Sequence, residues 1–428
     1  MNDIIKNRRE FHRYAETGWN EIRTSARVAE ILTGLGIKDI YIGKDAVDIN
    51  TVKQPIDLSL EIRKANMARA VSQGADPEFV SRTEGYPGVV AVIDTGRPGP
   101  VSALRFDIDC LPYDEEDSAG SKAFSEGFAS LNPGCVHACG HDGHTAIGLG
   151  LACEIIKNPQ EYTGVIKLLF QPAEETFFGA ASMVDKGFLD DVDRFIAVHL
   201  ALSAENQPLP SGSIACGIND FLSVRQLDVT FHGRAAHPCG ASQEGRNALL
   251  AACSAALSLH AIAPHEKGLT RVNVGMINGG LCANTIAPEC SLRLEYRGQF
   301  PEISEYLKGR VFDILDGTAK AYGLTYTFDD YGEVPAAQSD SSLVEAVRKA
   351  ALRIPWFKTI YTEGNLGGSD DASVMMNRVQ QHGGKAVYIG IGADISQPVH
   401  NPGFDFDEES LEPAVQLLSL MLKEKDAF

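Results

Sequence analysis

The chain has 428 residues, enough for two domains at ~150 residues each with wide scatter. Its apolar fraction of 44% and charged fraction of 22% exclude disordered and fibrous classes. Lys plus Arg number 38 against 57 Asp plus Glu, a formal net charge of −19, and that field repels nucleic-acid backbones and anionic lipid surfaces.

The first ten residues carry charge where a secretory leader is apolar, and no apolar stretch approaches the ~20 residues that span a bilayer. The longest, around 147–156, is broken by Gly148, Gly150 and Glu154. Nine scattered cysteines, an odd number in a chain of this size, point to reduced thiols and a cytoplasmic protein. Residues 4–35 have helical spacing, with Ile22, Val28, Ile31 and Leu32 near one face and Gly34-Leu35-Gly36 as the stop. Residues 51–86 are polar and helix-prone and read as an inserted helical hairpin. Two strands follow at 88–94 and 100–107, around the turn-forming Gly96-Arg-Pro-Gly-Pro.

A helix is predicted from about 144 to 156, a buried strand at 164–170, a helix near 179–186 and a strand at 194–199. Near-continuous apolar strands between helices indicate a sheet covered on both faces. Between about 221 and 330 the strands instead alternate polar and apolar, at 223–231 and 290–297, with helices at 248–261 and 302–322. That pattern belongs to a smaller α+β domain with one sheet face exposed. From 341 the first rhythm resumes, with a strand at 385–391 and a helix at 410–423. The fold class is therefore α/β: a mixed-sheet catalytic domain covered by helices, residues 1–219 and 334–428, interrupted by an inserted α+β domain, residues 220–333.

The densest chemical cluster is Cys135-Val-His137-Ala-Cys139-Gly-His141-Asp-Gly-His144. In an extended segment residues 135, 137, 139 and 141 would share a face, and thiolate with imidazole suits zinc or a similar transition metal. Glu174-Glu175 follows a buried strand, where sites form in open α/β sheets. One of the pair could bind metal while its neighbour handles a proton. Asp107 and Asp109 close another strand, His199 a third, and His400 follows the last. Singly, each has an ordinary structural explanation; together, at strand ends, they favour a metal site. Ser369 or Asp370 would serve as the cap of a helix at 372–378. Cys110, Cys153, Cys216, Cys253, Cys282 and Cys290 read as buried packing thiols.

The runs His137-Ala-Cys-Gly-His-Asp-Gly-His-Thr, Gln171-Pro-Ala-Glu-Glu, Val198-His199, Gly233-Arg-Ala-Ala-His237-Pro and His400-Asn-Pro-Gly-Phe-Asp-Phe-Asp-Glu resemble the M20 metallopeptidase family, in its aminoacylase-like amidohydrolase branch. The resemblance covers nearly the whole chain. It implies two divalent metal ions per protomer, Mn2+ or Zn2+, and an inserted lid that also dimerises. On this sequence it implies Cys139 as the ligand bridging the metals, with His141, Glu175, His199 and His400 completing the set. Glu174 would be the general base and Asp109 would orient a ligand, with His144 a further candidate behind the ligands. Asp107 stands where other branches carry a metal-binding His, so its role stays open. His237 would stabilise the oxyanion, and Asn284 and Arg297 would hold the substrate. Where the family has Asn-Val-Ile-Pro, this chain has Asn284-Thr-Ile-Ala-Pro288, so Arg293 is the alternative to Arg297.

The implied reaction is hydrolysis of the amide bond of an N-acyl amino acid, p-aminobenzoyl-glutamate first. Partners would be that small molecule and either a second copy through the lid or a homologous second subunit, with no nucleic acid and no membrane. The alternatives are a dipeptidase or aminoacylase of the same family, or a non-catalytic subunit supporting a homologous chain.

Overall fold

The computed structural model describes residues 2–52, 57–116 and 121–424. Two compact units form, Met1–Asp220 with Ala337–Phe428, and Phe221–Ala336. The first opens with α1 (Asn2–Arg13), α2 (Ile22–Gly34), β1 (Asp39–Ile42), α3 (Leu60–Ser72), α4 (Pro77–Thr83), β2 (Val89–Asp94) and β3 (Val101–Asp107). It continues through α5 (Lys122–Ser125), α6 (His141–Lys157), β4 (Val165–Gln171), α7 (Gly179–Val184) and β5 (Arg194–Leu200). The short β6 (Ser203–Ala204), β7 (Gln207–Pro208) and β8 (Ser213–Ala215) precede the second unit. That unit holds β9 (Ser223–His232), α8 (Ala248–His260), β10 (Thr270–Gly279), β11 (Glu289–Gly298), α9 (Pro301–Tyr322) and β12 (Thr325–Val334). The chain then returns with α10 (Ser341–Ala351), β13 (Thr359–Tyr361), α11 (Ala372–Gln381), β14 (Lys385–Ile391) and α12 (Leu411–Lys423).

The first unit is built on an eight-stranded mixed sheet in the order β1-β2-β4-β3-β5-β14-β8-β13. Its centre, β4-β3-β5-β14, is parallel. Alternate residues Leu104 and Phe106, Ile166 and Leu168, and Ile196 and Val198 join one core cluster with α6 and α12. The intervening Ala103, Arg105, Leu169 and Ala197 are buried as well, so the sheet is covered on both faces. Helix α6 packs on β3, β4 and β5, and α7 and α11 pack on β4, β5 and β14. Four parallel strands thus bring their carboxyl ends to one edge.

The second unit is a four-stranded antiparallel sheet, β10-β11-β9-β12, with α8 and α9 on one face. Leu227, Val229 and Phe231 interleave with Leu292, Leu294 and Tyr296 to form its core, while Asp228, Arg293 and Arg297 take the other face.

Three expectations change. The helical stretch at 4–35 is two helices, because residues 14–21 form a turn through Trp19 at φ 67°. Its apolar spacing survives since both halves pack on the same core. The strands flanking Gly96 do not pair with each other: β4 lies between them, antiparallel to β2 and parallel to β3. Cys253 and Cys282 are exposed, and Cys153 is half-buried, so only Cys110, Cys216 and Cys290 of that group are buried thiols. Of the predicted insertion at 51–86, residues 53–56 lie outside the described residues, and the rest holds α3 and α4. Among the described residues no helix is long and apolar enough to cross a membrane.

Candidate metal centre

Helix α6 starts three residues earlier than its sequence suggests. Gly140 at φ 85° turns the chain sharply, a conformation glycine adopts without steric cost, and His141 falls in the first helical turn. Residues 135–141 are therefore not one extended face. Cys139 and His141 reach the strand-end edge, whereas Cys135 and His137 join no cluster of metal-ligand type among the described residues. His137 is buried, and burial pushes its imidazole down to about 3.

Three groups of donor atoms, each with members within 4.8 Å of one another, meet at this edge: Cys139, Glu175 and His400; His141, Glu174 and Glu175; and Asp107, His141, His144 and His199. The hydrogen bonds sort these donors. His141 places Nδ1 3.0 Å from the Asp109 carbonyl and 3.2 Å from Asp109 Oδ1, both acceptors, so Nδ1 carries the proton. Its Nε2 is buried without a hydrogen-bond partner, as is Glu175 Oε1. His199 likewise turns Nδ1 to the Leu200 carbonyl, and its Nε2 lies 3.6 Å from Cys139 Sγ. His400 Nε2 lies 3.5 Å from Glu175 Oε1. Its backbone, at φ 65°, is held by its own N–H on the Ala138 carbonyl and by the Tyr113 hydroxyl on its carbonyl.

His144 differs. Its Nε2 accepts the Leu200 N–H at 2.9 Å, so its proton is on Nδ1, which donates to Asp107. Both nitrogens are occupied by the protein, which leaves no lone pair for a ligand bond. Asp107 is committed too: Arg105 donates to its other oxygen at 2.6 Å. Asp107 thus forms an Arg105–Asp107–His144 chain ending on the peptide beside His199.

Asp109 serves two neighbours, taking the His141 imidazole on one oxygen and the Glu175 N–H, at 3.0 Å, on the other. Glu174 is buried with Asp370 and Asp371 close by. Burial first, then Asp370, raises its carboxyl well above the usual range. Burial also lifts Glu175 to about 7. Burial opposes a proton on His141, yet Asp107 and Cys139 outweigh it and hold that imidazole's affinity for positive charge high. Orphaned donor atoms facing each other, with more carboxylates than cations, form a cradle for positive charge. The Cys, His and Glu donors fit a divalent transition metal in chemistry as well as in arrangement.

Several site residues carry little or no signal in the sequence. Arg105 is fully buried and bonds Gln171, Asp107, Asp370 and Asp371. The N-cap of α11 is Asp371 rather than Ser369 or Asp370. Asp370 instead accepts the Ala372 N–H on Oδ1 at 2.7 Å, and its other oxygen takes the Tyr388 hydroxyl. Arg105, beside Asp107 at the end of a buried strand, offers a signal, since a charge in such a strand needs a buried partner, and the resemblance places the acidic loop Gly367-Gly-Ser-Asp-Asp371 near the rim of the site.

Of the residues expected in the second unit, His237 lies on an exposed turn and its Nδ1 accepts the N–H groups of Cys239 and Gly240, at 3.2 and 3.0 Å. Its proton is therefore on Nε2, a free donor direction. Asn284 Oδ1 lies 3.1 Å from the Cys282 thiol. Arg297 pairs with Glu295 at 3.0 and 3.2 Å, and Arg293 grips Asp228 bidentately at 2.7 and 2.6 Å.

A mixed α/β sheet with soft and hard donors gathered at its carboxyl edge defines a hydrolase of the metallopeptidase type. Comparison with known proteins agrees. The model of peptidase family M20/M25/M40 matches residues 103–424. An indole-3-acetyl-aspartic acid hydrolase of Enterobacter agglomerans is 44% identical over 96% of this chain and 93% of its own length. One subunit of the p-aminobenzoyl-glutamate hydrolase of Escherichia coli is 41% identical, again over 96% and 93%. The crystal structure of an aminobenzoyl-glutamate utilization protein from Klebsiella pneumoniae superposes with a TM-score of 0.79 at 36% identity, covering 99% of this chain and 95% of that one. A Bacillus subtilis structure, described as a dinuclear metal binding peptidase from the M20 family, shares the fold at a TM-score of 0.69 and 23% identity, over 99% and 97%. The chain belongs to peptidase family M20 and is an amidohydrolase of that family.

Proposed function

We propose that this protein hydrolyses the amide bond of an N-acyl amino acid whose leaving group is acidic, with p-aminobenzoyl-glutamate as the foremost substrate. Two curated relatives above 40% identity carry names of this kind, one an arylacetyl-aspartate and one an aroyl-glutamate. Their shared part is an aromatic acyl group on an acidic amino acid.

In this reading Cys139, His141, Glu175, His199 and His400 would hold two divalent ions, manganese or zinc. When bound, such ions supply Lewis acidity and lower the pKa of water. Glu174 takes a proton from the attacking water and returns it to the leaving nitrogen, a task suited to a buried carboxyl of raised proton affinity. Asp109 fixes the tautomer and direction of His141 and, through the Glu175 N–H, the loop that carries both glutamates. His237 donates Nε2–H to the oxygen that gains charge, and Asn284 and Arg297 hold the substrate carboxylates. Arg293 is the alternative clamp; each guanidinium fork is engaged by a carboxylate, Arg297 by Glu295 and Arg293 by Asp228.

The observation that carries the reading is the pair of imidazoles whose Nδ1–H groups are tied to carbonyls while their Nε2 atoms face Cys139 and the glutamates. The test is kcat/KM on protein reconstituted with Mn2+ or Zn2+, across p-aminobenzoyl-glutamate, indole-3-acetyl-aspartate, N-acetyl amino acids and dipeptides. Aromatic conjugates of Glu or Asp should rank first by tenfold or more. Dipeptides ranking first would reject the substrate assignment. The Escherichia coli relative is named as one chain of a larger enzyme, so the same assay is run with and without a homologous second chain. Full turnover by this chain alone would make it self-sufficient; none without the other would make it half of an enzyme.

A further inference from the structure

The turn between α1 and α2, residues 14–21, is used by nothing described so far, yet it contains two fully buried glutamates. Glu21 occupies the N-cap position of α2, but its side chain makes no cap hydrogen bond. Glu16 does that work instead, accepting from Thr24 N at 2.9 Å and Arg23 N at 3.3 Å. Glu21 is thereby released to reach Ala173, whose N–H it accepts at 2.7 Å across 152 residues of chain. Its second oxygen has no partner. A buried carboxyl is expensive to keep, and helix capping does not account for this one.

What Glu21 grips is strained. Ala173 sits at φ 57°, left-handed backbone that is unfavourable for a non-glycine residue. The next two residues are Glu174 and Glu175. Gly18 of the same turn lies against this loop: a Cβ there would stand 3.0 Å from Thr176 Cγ2 and 3.2 Å from Ala173 Cα. The Glu16 carbonyl also accepts the Cys110 N–H at 2.9 Å, next to Asp109, which holds Glu175 N from the opposite side.

We propose that Glu21, supported by the close approach at Gly18, is a positioning residue for the general base: it locks Ala173 in its left-handed state so that Glu174 and Glu175 project in different directions. The inference rests on the assignment of Glu174 as the base. Freed from Glu21, Ala173 relaxes toward ordinary φ and the peptide leading into Glu174 rotates. A shift of about 1 Å in a catalytic group is worth on the order of 10²-fold in rate.

The test uses full-length protein as wild type, Glu21→Leu, Glu21→Gln and Gly18→Ala. Metal content and kcat and KM for the best substrate are measured after reconstitution, and amide hydrogen exchange of residues 173–178 in the metal-free protein. Glu21→Leu should lower kcat tenfold or more, leave KM within threefold and metal content at the wild-type value, and speed exchange in 173–178 while the sheet strands stay protected. Glu21→Gln keeps an acceptor oxygen at the same reach and should restore kcat to within threefold. Gly18→Ala should reproduce part of the kcat loss. Wild-type kcat in Glu21→Leu, unchanged exchange, or Glu21→Gln as impaired as Glu21→Leu would overturn the proposal. Should Glu21→Leu fail to fold, a Gly18→Ala protein with wild-type kcat and exchange would overturn it equally. If the wild type cleaves no N-acyl amino acid, the functional reading falls, and the exchange data still decide whether Glu21 holds the loop.

Discussion

Replacing Arg8 by Met should be among the most damaging single changes outside the donor set. The guanidinium is fully buried and lies 2.7 Å from Asp142, 2.6 Å from Asp405 and 3.2 Å from Glu408, with the rings of Phe128 and Phe406 at 5.0 and 4.5 Å. It joins α1 to the first turn of α6, next to His141, and to the segment leading into α12. Methionine fills the volume but leaves the carboxylates short of a cation. Asp142 keeps His12 at 2.8 Å and Glu408 keeps Arg9 and Lys122, so the damage concentrates on Asp405. Removing one side of a buried ion pair costs about 3–5 kcal/mol. At ~2–4 °C per kcal/mol for a domain of this size class, Tm falls on the order of 10 °C. The pH dependence is a second check. Asp142 and Glu408 ionise more readily folded than unfolded, Glu408 at about 2 with Arg9 and Arg8 among the causes. Groups of depressed pKa stabilise above their unfolded value near 4 and lose that contribution as pH falls through the folded one. The gap between wild type and Arg8→Met should therefore be full at pH 7 and shrink below about pH 4. Thermal and urea unfolding of both proteins at pH 7 and pH 3.5 measure it. A deficit under 1 kcal/mol at neutral pH, or one that widens in acid, would refute the reasoning.

Glu174→Gln keeps the shape of the base and removes its proton affinity, so kcat should fall by about 10²–10⁴ with metal content unchanged, measured by elemental analysis beside steady-state kinetics. Activity near wild type would remove Glu174 from the mechanism. His144→Phe breaks the Asp107–His144–Leu200 chain that fixes the backbone beside His199, and metal affinity should drop about 10–100-fold in competition with a chelating dye. Unaltered affinity would reduce the chain to packing. Cys135 is half-buried, and its hydrogen bond to Cys110, followed by the nearby Arg69 charge, overcomes burial and holds its thiol at about 7. Alkylation of Cys135 by iodoacetamide, followed by mass spectrometry, should rise about tenfold per pH unit below 7 and level off above it. A midpoint above 8.5 would contradict that environment.

Most of the donor set is visible in the primary structure because its motifs are local, and the glutamates, His199 and His400 lie at or after the ends of apolar strands. Alternation along 223–231 and 290–297 likewise predicts a half-open sheet, and the second unit has one. What fails is local geometry between those motifs. Residues 135–141 look extended because their donors alternate, and the left-handed turn that Gly140 permits breaks that alternation. The stretch at 4–35 looks continuous because apolar spacing does not register a single turn whose two helices share a core.

The hydropathy pattern along the chain was enough for the class of fold, and the local motifs, through their resemblance to a known family, for the family and the candidate ligands, since those depend on residue type and on neighbours within a few positions. The tertiary structure alone decided which nitrogen of each histidine is free, that Asp107 belongs to Arg105 and His144, and that Glu21 serves Ala173. Most of those outcomes are hydrogen bonds between residues far apart in the chain, His141 to Asp109, His144 to Asp107 and Glu21 to Ala173, formed because burial leaves a polar atom no water to turn to. Sequence names the atoms that need partners; only packing selects the partners they find.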